Sequence, residues 1–440
     1  MTLTAQIVDR LSSLVVGSGW RRGKPAPSTA PEALIEAARA LPGLHSETRV
    51  GAVAAEILAG YGALDDDAKR AFFAGLRDHF DPDHGALAKA ARRWLDNGGP
   101  GDLESLSRMA EPPRQELLRR LNTAPGGTAR LVSMRADLLR LTGRDKAFAR
   151  VDADFRHLLR SWFNRGFLQL VRIDWHSPAF LLEKLIEYEA VHEIRDFRDL
   201  QRRVLPVDRR CYAFMHPAMP DEPLIFVEVA LTDDLPGSVQ ALIDEHRAPI
   251  AAEDADTAVF YSISNCQAGL AGISFGNLLI KNVVAELSRE LPDLTTFVTL
   301  SPIPGLRAWL DERAAAGEVA IAALLADPQP VSLVAQTSRY LLLAKDSKGR
   351  PRDPVARFHL GNGAEAHRVI AGADTSDRGT KQSLGMMVNY LYDRRRIEAQ
   401  HDAFTETGVI AAPKRLQDLA RKTEAEAELP AKAGKTDSKT

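Results

Sequence analysis

The chain has 440 residues, with 57 Lys and Arg against 59 Asp and Glu, a formal net charge of −2, 45% hydrophobic residues and two cysteines. That length and apolar content can bury a large core, most simply in two domains, and the near-neutral balance offers no overall field to recruit nucleic acid or an anionic membrane. Cys211 and Cys266 cannot build a disulfide framework and lack metal-ligand spacing, so a reducing compartment, the cytoplasm, is expected and no metal is.

The amino terminus "MTLTAQIVDRLSSLVVGSGWRR" has no continuous apolar run of the secretory kind, Asp9 argues against a transit peptide, and "DSKT" at the end is no peroxisomal address. No later stretch approaches the roughly 20 apolar residues of a membrane span. From Pro31 to about Ala190 the pattern is helical. "PEALIEAARAL", "VGAVAAEILAGYG", "DDDAKRAFFAGLRDHF", "HGALAKAARRWL", "RQELLRRLN" and "ARLVSMRADLLRLTG" repeat apolar residues three and four apart. Asp65, Asp66 and Asp67 open one helix, where carboxylates suit the positive end of the dipole. No fixed-period repeat appears, so an irregular bundle is expected rather than a solenoid.

After "LLEKLIEYEAVHEIRDFRDLQRRV" the texture turns to short β-rich runs, "RRCYAFMHP", "EPLIFVEVALT", "TAVFYSIS" and "TTFVTLSP". A sheet is expected to begin near Cys211. Between the last two runs, "NCQAGLAGISFGN" feeds the amphipathic "LLIKNVVAELSRELPDL", a β-loop-α-β unit. The fold class is therefore α+β: a helical bundle over 1–194, a mixed α/β domain over 195–414, and a charged, alanine-rich end over 415–440 in which a helix fades into a disordered tail.

Four stretches could carry chemistry. In "GLAGISFGNLLIKNVV", Gly269, Gly272 and Gly276 allow close backbone approach, and a helix starting near Asn277 would aim its free N–H groups at the loop, a place that holds a phosphate. The spacing fits neither the P-loop nor the dinucleotide fingerprint, and a bare turn explains it equally well. Ser301 ends the run "TFVTLSPIPGL"; Pro302 biases it away from helical geometry, which presents the hydroxyl, although a plain turn or cap serine fits too. His359, in "DPVARFHLGNGA", precedes a turn and either faces a cavity or is a satisfied core histidine. In "GMMVNYLY", Met386, Met387 and Val388 look like core, with Asn389, Tyr390 and Tyr392 as polar groups beside it. His176 and His216 have no partner by spacing. With no HExxH, no CxxC pair, no acidic metal cluster and no GxSxG elbow expected, neither zinc hydrolysis nor esterase chemistry is expected.

Taken in order, "RGFLQLVRIDWHSPAFLLEKL", "RRCYAFMHPAMPDEPLIFVEVAL", "FYSISNCQAGLAGISFGNLLIKNVV", "LSPIPG", "DPVARFHLGNGA" and "GMMVNYLY" resemble the malonyl-CoA decarboxylase family from about Thr128 to Tyr392. The resemblance implies a helical amino-terminal domain used in self-association, so a homo-oligomer, and a catalytic domain like the GNAT acetyltransferase fold. It implies that the loop Ala271, Gly272, Ile273, Ser274, Phe275, Gly276 and Asn277 contacts coenzyme A, and that Ser301 and His359 are the catalytic pair. Some relatives carry a glutamate where this chain has Ser274.

The chemistry so implied needs no cofactor, because the electrons released with carbon dioxide enter the adjacent thioester carbonyl and form an enolate. Ser301 would orient the malonyl carboxylate, and His359, with an ordinary pKa near 6.5, would protonate the α-carbon to give acetyl-CoA, with Tyr392 as a helper. A CoA-dependent acyltransferase on the same fold, or a non-catalytic CoA-binding scaffold, remain the alternatives.

Overall fold

The computed structural model describes residues 30–143, 145–273 and 276–428. The chain divides into two compact units, one ending at Leu158 and the other beginning at Leu159.

In the first unit, helices run over Pro31–Ala40, Glu47–Gly62, Asp66–His79, His84–Asn97, Pro100–Ala110, Pro113–Leu121 and Gly127–Thr142. Each expected periodicity became a helix, and the start of the third is set as the aspartates suggest: Asp65 accepts from the N–H of Ala68 at 2.8 Å. The core is made by Ile35, Ile57, Phe72, Phe73, Leu117, Leu131 and Leu138, all buried. A buried cation ties three segments together. Arg114 donates to Asp154 at 2.7 Å, to Asp81 at 2.9 Å and to the carbonyl of Leu76 at 2.8 Å, so its charge and its hydrogen-bonding capacity are both met.

The second unit is built on a mixed sheet whose strands are β1 (Gln169–Ile173), β2 (Arg209–Met215), β3 (Ile225–Thr232), β4 (Thr257–Asn265), β5 (Thr296–Thr299), β6 (Ser301–Pro302), β7 (Glu365–Ile370) and β8 (Met387–Leu391). Strands β1 to β4 form an antiparallel meander, β4 and β5 are parallel, and β8 pairs antiparallel with β5 and β6 along one edge and with β7 along the other. The parallel pair needs a crossover, and the helix Gly276–Glu290 supplies it. Leu279, Ile280, Val283 and Leu287, at helical spacing, are its buried stripe.

Two expectations about boundaries change. The sheet starts one strand before Cys211: β1, an edge strand with only Ile173 fully buried, pairs with β2. The units part at 158/159 rather than 194/195, because the helices Ala179–Tyr188 and Phe197–Val204 bury Leu182, Leu185 and Leu200 in one cluster with Cys211 and Ala213 of β2. The helix expected in the charged end runs over Lys414–Glu428, with Leu416 and Ala420 buried and its Glu424 paired with the buried Arg339. Residues 429–440 lie outside the described part.

Candidate functional site

Strands β4 and β5 part company in mid-sheet. Their ladder runs from Thr257–Thr296 to Phe260–Thr299, yet β4 continues to Asn265 paired with β3. A bulge between Glu228 and Val229 of β3, which places Tyr261 as an extra residue on β4, turns the strand at that point. The cleft so opened is a cavity of about 360 Å³ lined chiefly by Phe260, Tyr261, Ile263 and Asn265 of β4, Leu300 and Ser301 beyond β5, and Phe358 and His359.

Ser301 does not end the strand as the sequence suggested. β5 stops at Thr299, and after Leu300 the chain resumes as β6, with Ser301 opposite Val388 and Pro302 opposite Met387. The segment that follows is held by Asp353, which takes the N–H of Gly305 at 3.4 Å and the phenol of Tyr340 at 3.4 Å. A side chain at Gly305 would place its Cβ 2.2 Å from that phenol oxygen, so only glycine fits here. Asp353 is also the cap that starts the helix Pro354–Gly361, accepting from the N–H groups of Val355 and Ala356 at 2.9 Å each. His359 sits in the last turns of that helix, buried, rather than in the loop after it.

These elements bring three predicted residues into one chain. Ser301 Oγ lies 3.0 Å from His359 Nε2, and His359 Nδ1 lies 2.7 Å from the Tyr392 hydroxyl. Tyr392 is set by its own backbone N–H, which donates to Phe297 at 2.8 Å. The imidazole stacks on the ring of Tyr390 with centroids 4.5 Å apart. Thr299 escaped the sequence reading, and Asn389 was read there only as a polar group beside the core. Thr299 accepts the Ser301 hydroxyl at 2.8 Å and the N–H of Tyr390 at 3.1 Å, and Asn389 holds the Thr299 carbonyl at 2.8 Å. The signal for Thr299 was its place two residues before Ser301 in an extended segment, which puts both on one side. With the Ser301 hydrogen given to Thr299, the contact at Nε2 is an N–H that His359 donates, and Nδ1 accepts the Tyr392 phenol.

The electrostatics correct one expectation. His359 does not keep an ordinary pKa: complete burial pushes it down to about 3, so the imidazole in the ligand-free site is neutral throughout the physiological range. Burial likewise raises the Tyr392 phenol well above its usual value.

The glycine loop is brought to the end of β4. It makes a tight turn at Ala268–Leu270, Gly272 has φ of +75°, Arg160 donates to its carbonyl at 3.4 Å, and the helix begins at Gly276 with Asn277 in its first turn. Ala271 is exposed and Ile273 buried, while Ser274 and Phe275 lie outside the described residues. The stretch Gly272–Gly276 does spell G-x-S-x-G, which the expectation against esterase chemistry overlooked. The nucleophile elbow of that motif needs a strand turning directly into a helix; here β4 ends at Asn265 and a separate turn intervenes.

His176 is exposed, and His216 is tied to the Trp162 carbonyl at 3.0 Å and the Ala218 N–H at 3.1 Å, both apart from this cavity. Among the described residues no group of three His, Cys, Asp or Glu is placed to hold a metal, and no helix is long and apolar enough to cross a membrane.

The chain matches the model of the malonyl-CoA decarboxylase C-terminal domain over 166–331 and 322–430, and that of the N-terminal domain over 80–163. It is 35% identical to the mitochondrial malonyl-CoA decarboxylase of Anser anser anser, covering 81% of each chain. Among solved structures, the malonyl-CoA decarboxylase of Rhodopseudomonas palustris is similar with a TM-score of 0.85 and 49% identity over 88% of this chain and 99% of that one. That of Agrobacterium vitis gives 0.80 and 43% over 88% and 99%.

Proposed function

The chain belongs to the malonyl-CoA decarboxylase family, and we propose that it converts malonyl-CoA to acetyl-CoA and carbon dioxide in the cleft between β4 and β5. The observation that carries this reading is the Ser301–His359–Tyr392 chain, with contacts of 3.0 and 2.7 Å, whose Ser301 and His359 line that cleft.

Coenzyme A is held by the loop Ala271–Asn277, where the first turn of the helix Gly276–Glu290 offers free N–H groups and the positive end of its dipole to the pyrophosphate. Backbone groups on the β4 edge left open past Phe260 polarise the thioester carbonyl. The malonyl carboxylate lies against Ser301 and His359. Its negative charge favours the imidazolium that burial otherwise forbids, so one proton enters with the substrate. The bond between the α-carbon and the carboxyl group then breaks, its electron pair flows into the thioester carbonyl, and carbon dioxide leaves. His359 Nε2 gives its proton to the α-carbon as the enolate collapses. Tyr392 keeps the ring turned so that Nε2 faces the substrate. The thioester is the electron sink, which is why the step asks for no organic cofactor or metal.

The same reading makes the protein a homo-oligomer through its helical unit. The hairpin formed by His84–Asn97 and Pro100–Ala110 buries only Ala90 and leaves Trp94, Leu95 and Leu103 exposed, apolar area of the kind a partner subunit covers. The cytoplasmic setting suggested by the two unpaired cysteines, both buried, belongs to this reading as well.

The test is turnover of malonyl-CoA by the wild-type chain and by Ser301→Ala. Loss of about 100-fold or more in kcat with CoA binding retained is expected of a group acting in the transition state. Unchanged turnover in a folded variant would return Ser301 to a turn residue.

A further inference from the structure

Behind the wall formed by Tyr261, the second unit has another cavity, of about 200 Å³, lined by four arginines, Arg195, Arg202, Arg203 and Arg209. Three of them are spent on carboxylates. Arg195 pairs with Asp199 at 2.8 Å, Arg202 pairs with Asp199 and reaches Glu245 at 3.8 Å, and Arg203 pairs with Glu228 at 3.0 Å. Arg209 differs. It is 7% exposed; one terminal nitrogen, Nη2, donates to the carbonyl of Leu242, while the other, Nη1, is buried without a partner. Its guanidinium lies 5.8 Å from the centre of the Tyr261 ring, and among the described residues no carboxylate forms an ion pair with it. The other two lining acids, Glu193 and Asp244, sit in the wall of the same cavity without reaching it.

An arginine keeps its charge in any protein environment, so it cannot escape burial by losing a proton as a lysine or histidine can. A guanidinium taken out of water with neither counter-charge nor full hydrogen bonding is strongly unfavourable. The ring face of Tyr261 and one carbonyl meet only part of that demand. The cavity that Arg209 lines supplies the remaining means of meeting it. We propose that this cavity binds one small oxyanion, a phosphate or carboxylate group, through the Arg209 guanidinium.

Size limits the ligand. The volume is below that of ordinary pockets for drug-sized molecules, which begin near 300 Å³, but it holds a single oxyanion with a few waters at roughly 30 Å³ each. Because Tyr261 lines this cavity and the acyl cleft alike, the anion braces the rear of the residue that the β4 bulge pushes into the active site.

The test uses the full chain with inorganic phosphate as the probe, against sodium chloride of equal ionic strength. Equilibrium dialysis with radiolabelled phosphate is expected to show a saturable site in the wild type, absent in Arg209→Met and retained in Arg289→Ala, a surface arginine of another face. Thermal unfolding should follow it, since phosphate at 100 times its Kd favours the folded state about 100-fold. A saturating concentration of CoA separates the sources: binding that persists marks a site for a free anion, and binding lost only through Arg209 and only with CoA marks one filled by a CoA phosphate. Should Arg209→Met fail to fold, wild-type crystals soaked in arsenate provide the second readout, with an anomalous peak expected in the cavity within hydrogen-bond distance of the Arg209 guanidinium. Equal phosphate binding by wild type and Arg209→Met, or arsenate bound elsewhere but not at Arg209, overturns the proposal.

Discussion

Replacing His359 by glutamine should make the protein less sensitive to acid. Glutamine can still bond to Ser301 and Tyr392 but does not titrate. In the wild type the folded state holds His359 neutral down to about pH 3 because the ring is completely buried, whereas in the unfolded chain it titrates near 6.5. The unfolded state therefore binds an extra proton below pH 6.5, and the stability this residue confers is complete above that pH and is lost as pH falls towards 3. The slope is about 1.4 kcal/mol per pH unit. Between pH 6.5 and 4.5 the wild type should lose about 2 kcal/mol that His359→Gln does not, the slope being only half developed at pH 6.5. His192, held down to about 4 by burial, and Glu189, raised to about 7, titrate in the same interval, but both are common to the two proteins and cancel in the difference. Urea unfolding followed by circular dichroism at the two pH values measures it. Equal acid sensitivity of the two proteins would show that His359 is solvated in the fold, and the argument from burial to a neutral imidazole would fail.

Gly272→Val should weaken CoA binding tenfold or more while leaving saturated turnover within a few-fold, since φ of +75° strains a β-branched residue in the loop proposed to hold CoA; titration with CoA decides it, and unchanged affinity counts against the loop. Thr299→Val should lower kcat about tenfold at nearly constant KM by freeing the Ser301 hydroxyl to reverse its bond to His359, and Thr299→Ser should restore it; equal loss in both variants would mean Thr299 serves only packing. Leu95→Glu combined with Leu103→Glu should reduce the mass seen by light scattering, since both lie exposed on the helical hairpin; an unchanged mass would place the subunit interface elsewhere.

The legible parts of the molecule were those where one local signal suffices. Helical periodicity found the bundle, and the β-branched and aromatic runs of "EPLIFVEVALT" and "TAVFYSIS" found β3 and β4. The edge strand β1 was missed because "QLVRI" is only five residues long, with Ile173 alone buried, and follows a long helical stretch. The site was legible as motifs and not as geometry. Nothing local to "LSPIPG" announces that Ser301 pairs with Val388, and nothing in "DPVARFHLGNGA" distinguishes a loop histidine from one buried in the helix that Asp353 caps. The pKa of His359 was beyond reach for the same reason, since it depends on burial by residues distant in the chain, among them Tyr390 and Tyr392. Arg209 opens a strand among other arginines; only the fold separates the paired ones from the one that is not.

The central claim is that the chain breaks the bond between the α-carbon and the carboxylate of malonyl-CoA and that His359 returns a proton to the α-carbon. A single-turnover reaction of the wild type and of His359→Gln with malonyl-CoA in heavy water, after exhaustive chelation, tests both halves by mass spectrometry. The account predicts stoichiometric acetyl-CoA and carbon dioxide from the wild type, with one deuterium in the methyl group, and a rate lower by about 100-fold or more in the variant. Malonyl-CoA left intact by the wild type, or acetyl-CoA formed as fast by His359→Gln, would contradict it.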